Sequence, residues 1–295
     1  MALQIKRLSN VLGAEVRGVN LAEQLTDKVF DEIIGVWLEN LVLVFPDQTL
    51  TNEEHIVFSQ KFGKLEVHPS RKHILKDYPE ILLLTNRRDS VGNYVSLRDG
   101  GSIWHSDLSY MQEPSRCSLL YALDVPESGG DTEWANMYRA YDALPEKLKE
   151  EITGLKAVHQ FDLAENPRFG MPKEMIEKKT KGSIWEKTSD AIKARTPDAT
   201  HPIIRTHSNT GRRALFVTRR FTTRIVNMDA NEGEALLLEL FEYTEKPEHI
   251  YHHKWSNNQL VLWDNRCTSH LACGGVPDSQ LRTMQRTTVR GEIPV

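Results

Sequence analysis

The stretch Trp104-His105-Ser106-Asp107 decides the interpretation of this chain, together with Trp263-Asp264-Asn265-Arg266-Cys267-Thr268-Ser269-His270 far downstream. In a strand, residues two apart point to the same side, so His105 and Asp107 are predicted to present an imidazole nitrogen and a carboxylate oxygen to one point. His270 would add a second imidazole. Two histidines and one carboxylate leave one side of an octahedral metal open, which is the pattern of non-haem Fe(II) oxygenases. The spacing therefore predicts a metal centre with positions free for chemistry.

Further motifs follow in a fixed order along the chain. They are GGDT at Gly129–Thr132, FTTRIV at Phe221–Val226, WDNR at Trp263–Arg266 followed by His270, and the arginines Arg282 and Arg286. Together with WHSD, this set resembles the taurine dioxygenase family of Fe(II)- and 2-oxoglutarate-dependent enzymes. The resemblance extends from about Gly13 to about Pro294.

The resemblance implies Fe(II) as the metal, with 2-oxoglutarate and O2 as co-substrates. Two imidazoles and one carboxylate leave three coordination positions, two for the keto acid of 2-oxoglutarate and one for oxygen. Arg282 is implied to bind the far carboxylate of 2-oxoglutarate through its guanidinium fork, and Thr132 to add a hydroxyl donor. The segment from His270 to Arg282 is one residue longer than is usual in the family.

Other positions are implied to surround the prime substrate, and Arg286 is implied to bind its acidic group. The remaining positions are His68, Arg71, Leu108, Tyr110, Phe161 and Phe221. Arg71 and Gly101 stand where the family has a tyrosine and an asparagine, so a cation replaces a neutral polar group near the place of a substrate amine. Coulomb repulsion then predicts that taurine, which carries an ammonium group, is a poorer substrate than an amine-free anion.

The charge balance and the apolar segments of the chain limit the kinds of binding partner that it can have. The chain has 295 residues, 37 Lys plus Arg against 41 Asp plus Glu, and a net charge of -4. No basic field for nucleic acid is implied. Met1–Arg7 lacks an apolar segment with a cleavage site, and no run approaches the roughly 18 apolar residues of a membrane span. We therefore expect a soluble, cytoplasmic protein with a small organic anion as substrate, and the resemblance adds the expectation of a homo-oligomer.

The three cysteines, Cys117, Cys267 and Cys273, have no framework spacing and are predicted to be reduced. Cys267, His270 and Cys273 also form an alternative zinc pattern. If the strand that begins at Leu260 continues through His270, the three-residue spacing places Cys267 and His270 on opposite faces, which disfavours that zinc site.

Short strands separated by turns, with several helices and no regular βαβ alternation, predict a mainly β protein with flanking helices, a jelly roll or double-stranded β-helix. Among the local signals are an apolar run at Leu41–Phe45, a capping box at Thr51–Glu54 and a helix break at Pro145. One domain is expected over residues 1–295, with an active-site loop at about 85–101 and a second segment at about 162–200 that is either a lid or a solvated surface insertion.

The leading functional hypothesis is a dioxygenase that hydroxylates a small organic anion, such as taurine or another alkylsulfonate, and releases succinate and CO2. Alkyl sulfate esters and aryloxyalkanoates are alternative substrates, because Gly129–Glu133 and Ala140–Pro145 also resemble 2,4-dichlorophenoxyacetate dioxygenases. A metal-dependent hydrolase and a non-catalytic binding protein on the same sandwich are alternatives from other classes.

Overall fold

The computed structural model describes residues 2–92, 94–96, 101–161 and 188–295. The predicted active-site loop and the second segment fall partly outside this range, at 93, 97–100 and 162–187. The fold below is that of the described residues.

These residues contain fifteen strands. They are β1 (Gln4–Arg7), β2 (Ala14–Arg17), β3 (Val42–Phe45), β4 (Leu82–Thr85), β5 (Ser115–Asp124), β6 (Thr132–Asn136), β7 (Lys156–His159), β8 (Ala199–Pro202), β9 (Ile204–Thr206), β10 (Arg213–Leu215), β11 (Thr222–Ile225), β12 (Ile250–His253), β13 (Leu260–Asp264), β14 (Thr268–Ala272) and β15 (Thr283–Arg290).

The largest sheet has seven strands in the order β1-β2-β3-β13-β5-β15-β4. Only β2 and β3 pair in parallel; the other neighbours are antiparallel. The run predicted as a buried strand forms β3, whose four residues are all buried. The central strands β13, β5 and β15 therefore bring distant parts of the sequence into register.

A second layer is formed by the three-stranded sheet β12-β6-β14, with smaller sheets β11-β7-β8 and β10-β9 beside it. Trp134 of β6 and Trp263 of β13 meet between the layers, with ring centroids 5.6 Å apart. Both side chains belong to one buried apolar cluster. Two mainly antiparallel sheets that share a core form the predicted jelly roll.

The described residues contain six α-helices: α1 (Asp27–Asn40), α2 (Asn52–Gln60), α3 (Met137–Asp142), α4 (Glu146–Ile152), α5 (Asp190–Arg195) and α6 (Ala230–Thr244). Thr51 and Glu54 form the predicted capping box at the start of α2. Pro145 precedes α4, so the predicted break between two helices is confirmed. Side chains of α1 and α2, including Trp37 and Phe58, form the second apolar cluster with residues of the large sheet. Helices thus flank the β core, as predicted.

The chain crosses from the large sheet to the small one in the turn between β13 and β14. The strand that begins at Leu260 does not continue through His270, because β13 ends at Asp264. The Asp264 carboxylate accepts a hydrogen bond from the Arg266 backbone N–H at 2.9 Å, and its carbonyl accepts one from the Thr268 hydroxyl at 2.6 Å. An aspartate that bonds the backbone two residues ahead favours a turn over a strand.

A buried ion pair fixes this turn. The Arg266 Nε and Nη2 atoms donate to the two Asp264 carboxylate oxygens at 2.9 and 2.7 Å, and His207 Nε2 lies 3.1 Å from the same carboxylate. Asp264 is 0% and Arg266 1% exposed. A buried pair of this kind depends on both partners, because removing one leaves an uncompensated charge in the core.

We expect Arg266→Met to lower the free energy of unfolding by about 3–5 kcal/mol, measured by urea denaturation, because Asp264 then lacks its counter-charge. The matched control is Arg7→Met, which removes the exposed pair with Glu39 and should change the same quantity by less than about 1 kcal/mol. Equal losses in both variants would contradict a structural role for the buried pair.

Candidate active site

His105, Asp107 and His270 converge on the wall of one cavity. The His105 Nε2 atom lies 3.9 Å from one Asp107 carboxylate oxygen, and the His270 Nε2 atom lies 3.8 Å from the other. One ligand atom from each residue lies within 4.8 Å of the other two. All three side chains are buried. The structure therefore brings the three predicted metal ligands together.

The local backbone differs from the prediction. The expectation of a strand through Trp104–Asp107 is wrong, because His105 forms an isolated antiparallel bridge with His270 and Asp107 begins a turn. Backbone hydrogen bonds of 3.0 and 2.7 Å join His105 to His270, and the two imidazole centroids are 4.0 Å apart. Leu108 then takes a left-handed φ of 56°, which ends the extended path. Cross-strand pairing brings His105 and His270 together, and Asp107 lies beside them at the start of the following turn.

The Asp107 carboxylate is held from several sides. Arg286 Nη1 donates to one oxygen at 2.6 Å, and the Ser118 hydroxyl donates to the other at 2.7 Å. The Asn265 side chain accepts from the Asp107 backbone N–H at 3.2 Å and donates to the Ser118 hydroxyl at 3.0 Å. Strands β5 and β15 and the β13–β14 turn together fix the orientation of this carboxylate.

The protonation states suit a metal. Burial lowers the pKa of His270 to about 4 and holds the pKa of His105 well below 6.5, so both imidazoles are neutral. Burial opposes ionisation of Asp107, but the charge of the Arg286 guanidinium favours it and is the main cause that lowers the pKa of this carboxyl. The His105 Nδ1 atom lies 2.8 Å from the Ile103 carbonyl, to which it donates, so Nε2 presents its lone pair. Two neutral imidazoles and one carboxylate fit Fe(II).

Arg282 lines the same cavity, next to Gly130 and Thr132. Its Nε donates to the Gly130 carbonyl at 3.0 Å. A Cβ at Gly130, whose φ is 75°, would lie 2.7 Å from Arg282 Cδ, so this position requires glycine. Burial lowers the pKa of Arg282 to about 10, which leaves it charged at neutral pH. Trp255 Nε1 donates to the Thr132 hydroxyl at 3.0 Å, so the hydroxyl proton of Thr132 is available for another acceptor.

An aromatic cluster forms another part of the cavity wall. The Tyr110 ring lies 4.8 Å, between centroids, from both Phe161 and Phe221. Leu108 is buried against them. His68 also lines the cavity, and burial together with Arg286 lowers its pKa to about 3, which keeps it neutral. The structure thus places these five predicted substrate-contact residues around one space.

Arg71 is the exception among the predicted substrate contacts. Its side chain is exposed and does not belong to the described residues that line the cavity, whereas Gly101 does. Arg71 has a left-handed φ of 52° at the end of a turn that its N–H closes onto the His68 carbonyl. Because the Arg71 side chain is exposed and does not line the cavity, the prediction that it brings a cation into the pocket is wrong.

The alternative zinc pattern does not assemble. Cys267 is buried beside His207 and Asp264, whereas Cys273 is exposed beside Glu133 and His252. His270 belongs to neither group. The three residues of the pattern therefore lie in three different clusters.

Comparison with known protein families identifies the chain. The model of the family described as "Taurine catabolism dioxygenase TauD, TfdA family" matches residues 4–288. The chain belongs to this family. The predicted resemblance is confirmed, and the TauD/TfdA family places the chain among the 2-oxoglutarate (alpha-ketoglutarate)-dependent dioxygenases, which use Fe(II) and O2.

Relatives in the TauD/TfdA family are named for different compounds. The chain is 33% identical over 284 residues to the alpha-ketoglutarate-dependent 2,4-dichlorophenoxyacetate dioxygenase of Cupriavidus pinatubonensis, covering 92% of each chain. It is 30% identical over 293 residues to an alkylsulfatase of Acinetobacter baylyi, covering 99% of this chain and 86% of the relative.

Solved structures share the fold. A taurine dioxygenase from Burkholderia xenovorans superposes with a TM-score of 0.79 at 30% identity, covering 99% of this chain and 92% of that one. AAD-2 in complex with Mn(II) and N-oxalylglycine gives a TM-score of 0.80 at 30% identity, covering 100% and 99%. These likenesses confirm the jelly-roll core.

None of the helices in the described part of the chain combines the length and the apolar composition that a membrane span requires.

Arg220 is a residue of this TauD/TfdA site that sequence reasoning missed. It lines the cavity, is 8% exposed, and its guanidinium lies 4.8 Å from the Phe221 ring centroid. Its charge contributes to lowering the pKa of both His105 and His270. The sequence feature that could have indicated Arg220 is its position immediately before the FTTRIV motif, whose first residue, Phe221, lines the pocket.

Proposed function

We propose that residues 1–295 act as one Fe(II)- and 2-oxoglutarate-dependent dioxygenase domain that hydroxylates a C–H bond of a small, amine-free organic anion. In this proposal His105, Asp107 and His270 bind Fe(II), and Arg282 with Thr132 binds the far carboxylate of 2-oxoglutarate. The observation that carries the proposal is that the triad and three guanidinium groups line a single cavity of about 400 Å³.

When bound, Fe(II) supplies the redox chemistry by which O2 converts 2-oxoglutarate to succinate and CO2 and adds one oxygen atom to the substrate C–H bond. The protein supplies position and charge. Asp107 keeps its orientation because Arg286 and Ser118 bind its two oxygens. The guanidinium of Arg282 and the hydroxyl proton of Thr132 provide donors for the far carboxylate of 2-oxoglutarate.

The arginines favour this function over a hydrolase or a non-catalytic binding protein. Such proteins have no need of a guanidinium that lines the cavity and lies so close to Gly130 that a Cβ at this position would be 2.7 Å from Arg282 Cδ. Arg286 also has a buried Nε without a hydrogen-bond partner among the described residues, although its Nη1 is occupied by Asp107. Buried donors in native proteins almost always have a hydrogen-bond partner, so the unpaired Arg286 Nε favours a bound group at this place. A substrate anion suits this donor.

We expect Asp107→Ala and His105→Ala to abolish Fe(II) binding and the formation of succinate from 2-oxoglutarate, because each loses one of three metal ligands. Metal binding is measured by equilibrium dialysis and succinate by chromatography. The matched control is Asp142→Ala at a carboxylate that is 65% exposed, and it should retain both properties. Wild-type succinate formation in either triad variant would refute the ligand assignment.

The charges of the cavity favour an anionic substrate. Among the described residues, the Lys and Arg side chains on the cavity wall outnumber the Asp and Glu side chains. The basic ones are Lys72, Arg220, Arg282 and Arg286, and the acidic ones are Asp107 and Asp278. One of the two acidic groups is a proposed metal ligand. The repulsion of the taurine ammonium group, first expected from Arg71, would therefore come from Arg220.

The aromatic wall favours an apolar substrate body. Tyr110, Phe161 and Phe221 offer ring faces at the cavity, and such surfaces bind alkyl chains and aryl rings. The names of the relatives include a phenoxyacetate dioxygenase and an alkylsulfatase, whose substrates combine an anionic group with an apolar body. We therefore favour longer alkylsulfonates, alkyl sulfate esters and aryloxyalkanoates over taurine.

The substrate class is tested with taurine and 1-propanesulfonate, which differ only by ammonium against methyl. We expect kcat/KM for 1-propanesulfonate to be at least about tenfold higher, because two like charges about 6 Å apart repel by about 3 kcal/mol at an effective dielectric constant of about 20. Hexyl sulfate and a phenoxyacetate complete the panel, with succinate formation as the readout. A preference for taurine over its methyl analogue would contradict the proposed substrate class.

A further inference from the structure

A second group of metal-binding side chains lies on the small sheet, away from the cavity. Glu133, His252 and Cys273 each offer one ligand atom, and these atoms lie within 4.8 Å of one another. His252 and Cys273 are exposed and Glu133 is half-buried. None of the three lines the cavity described above. The group is therefore open to solvent and separate from the proposed iron centre.

The sheet register brings these residues to one face. Glu133 of β6 lies directly opposite His252 of β12. On the other side of β6, the Cys273 N–H donates to the Asp131 carbonyl at 2.9 Å, which extends the β6–β14 ladder by one position. Side chains alternate along a strand, so His270 points to the cavity while Cys273, three residues later, points to the opposite face. Hydrogen-bonded strands thus fix the spacing of the group.

Asp131 orients the imidazole of this group. Its carboxylate lies 2.8 Å from His252 Nε2, and a Glu133 oxygen lies 3.1 Å from His252 Nδ1. A carboxylate bound to one ring nitrogen fixes the tautomer and makes the other nitrogen a better metal ligand. Asp131 therefore directs Nδ1 toward Glu133, where a cation would replace the proton that these two atoms share.

We propose that Glu133, His252 and Cys273 form a binding site for a thiophilic divalent cation, Zn²⁺, with Asp131 positioning the His252 ring. One carboxylate oxygen, one imidazole nitrogen and one thiolate sulfur match the donors that zinc takes in proteins. Calcium and magnesium would require more oxygen donors. A water molecule completes a tetrahedral set, because the group is exposed.

A cation at this site would join three neighbouring strands of the small sheet. Cys273 also begins the segment that leads to Arg282. This segment is already attached to the loop before β6, because the Gly130 N–H donates to the Gly274 carbonyl at 2.7 Å. The cation would add a second connection at the same point. Because it binds the folded chain, zinc is expected to raise the temperature of unfolding.

Cobalt(II), a spectroscopic substitute for zinc, tests the site. A cysteine sulfur bound to cobalt gives an intense charge-transfer band in the near ultraviolet, and the proposed iron centre contains no cysteine. We expect this band in the wild-type protein and its loss in Cys273→Ser. The matched control is Glu127→Gln, which alters an exposed glutamate in the loop before β6 and should retain the band.

Zinc binding is measured by equilibrium dialysis and by the protection that zinc gives to the Cys273 thiol. Cys273 is the one exposed cysteine of the three, all of which lie in described residues, so it should react first with a thiol reagent and be protected by zinc. Asp131→Asn is expected to weaken zinc binding about 10- to 100-fold, because the imidazole loses its orienting partner.

Two results would overturn the proposal. One is a wild-type protein without the cobalt–thiolate band. The other is zinc uptake that is unchanged in Cys273→Ser but lost in His105→Ala, which would place the cation at the cavity triad. Neither result bears on the proposed dioxygenase activity, so the two proposals fail independently.

Discussion

The buried carboxylate of Asp107 is the group on which the rest of the site depends. A carboxylate that is 4% exposed is costly to ionise unless charged and hydrogen-bonded partners surround it. Arg286 at 2.6 Å and Ser118 at 2.7 Å supply those partners. Because they belong to β15 and β5, the orientation of one metal ligand is set by the register of two central strands. The packing of the large sheet thus determines the position of Asp107 in the cavity.

The two layers of the jelly roll divide the site between them. The small sheet contributes His270, and its bridge to His105 places the two imidazoles side by side. The large sheet carries Arg286, with Arg282 immediately before the same strand. The β13–β14 turn, fixed by the buried Asp264–Arg266 pair, connects the layers. Because the β13–β14 turn holds the two layers together, the cavity between them can keep the metal ligands in a fixed arrangement, as the chemistry requires.

The sequence predicted the fold class, the family and the convergence of His105, Asp107 and His270, because all three follow from motifs that are short and ordered. It did not predict the backbone conformation around His105 and Asp107, because an isolated bridge and a turn leave no periodic pattern in the sequence. Arg71 and Arg220 show a second reason. The position of a residue in the sequence does not show whether its side chain faces the cavity or the solvent at a turn. The sequence therefore predicted Arg71 in the cavity wall and did not identify Arg220. The roles assigned to the pocket residues remain predictions.

In the proposed site Arg286 supports the metal-ligand carboxylate, whereas Arg282 binds 2-oxoglutarate. The most direct test compares Fe(II) affinity and the 2-oxoglutarate requirement in Arg286→Ala and Arg282→Ala. We expect Arg286→Ala to weaken Fe(II) binding about 10- to 100-fold, as for other partners that orient a metal ligand. We expect Arg282→Ala to leave Fe(II) binding unchanged and to raise the 2-oxoglutarate KM by about 10- to 100-fold, through loss of charge-assisted hydrogen bonds. Unchanged Fe(II) affinity in Arg286→Ala, or equal effects of both variants on both ligands, would contradict the claim.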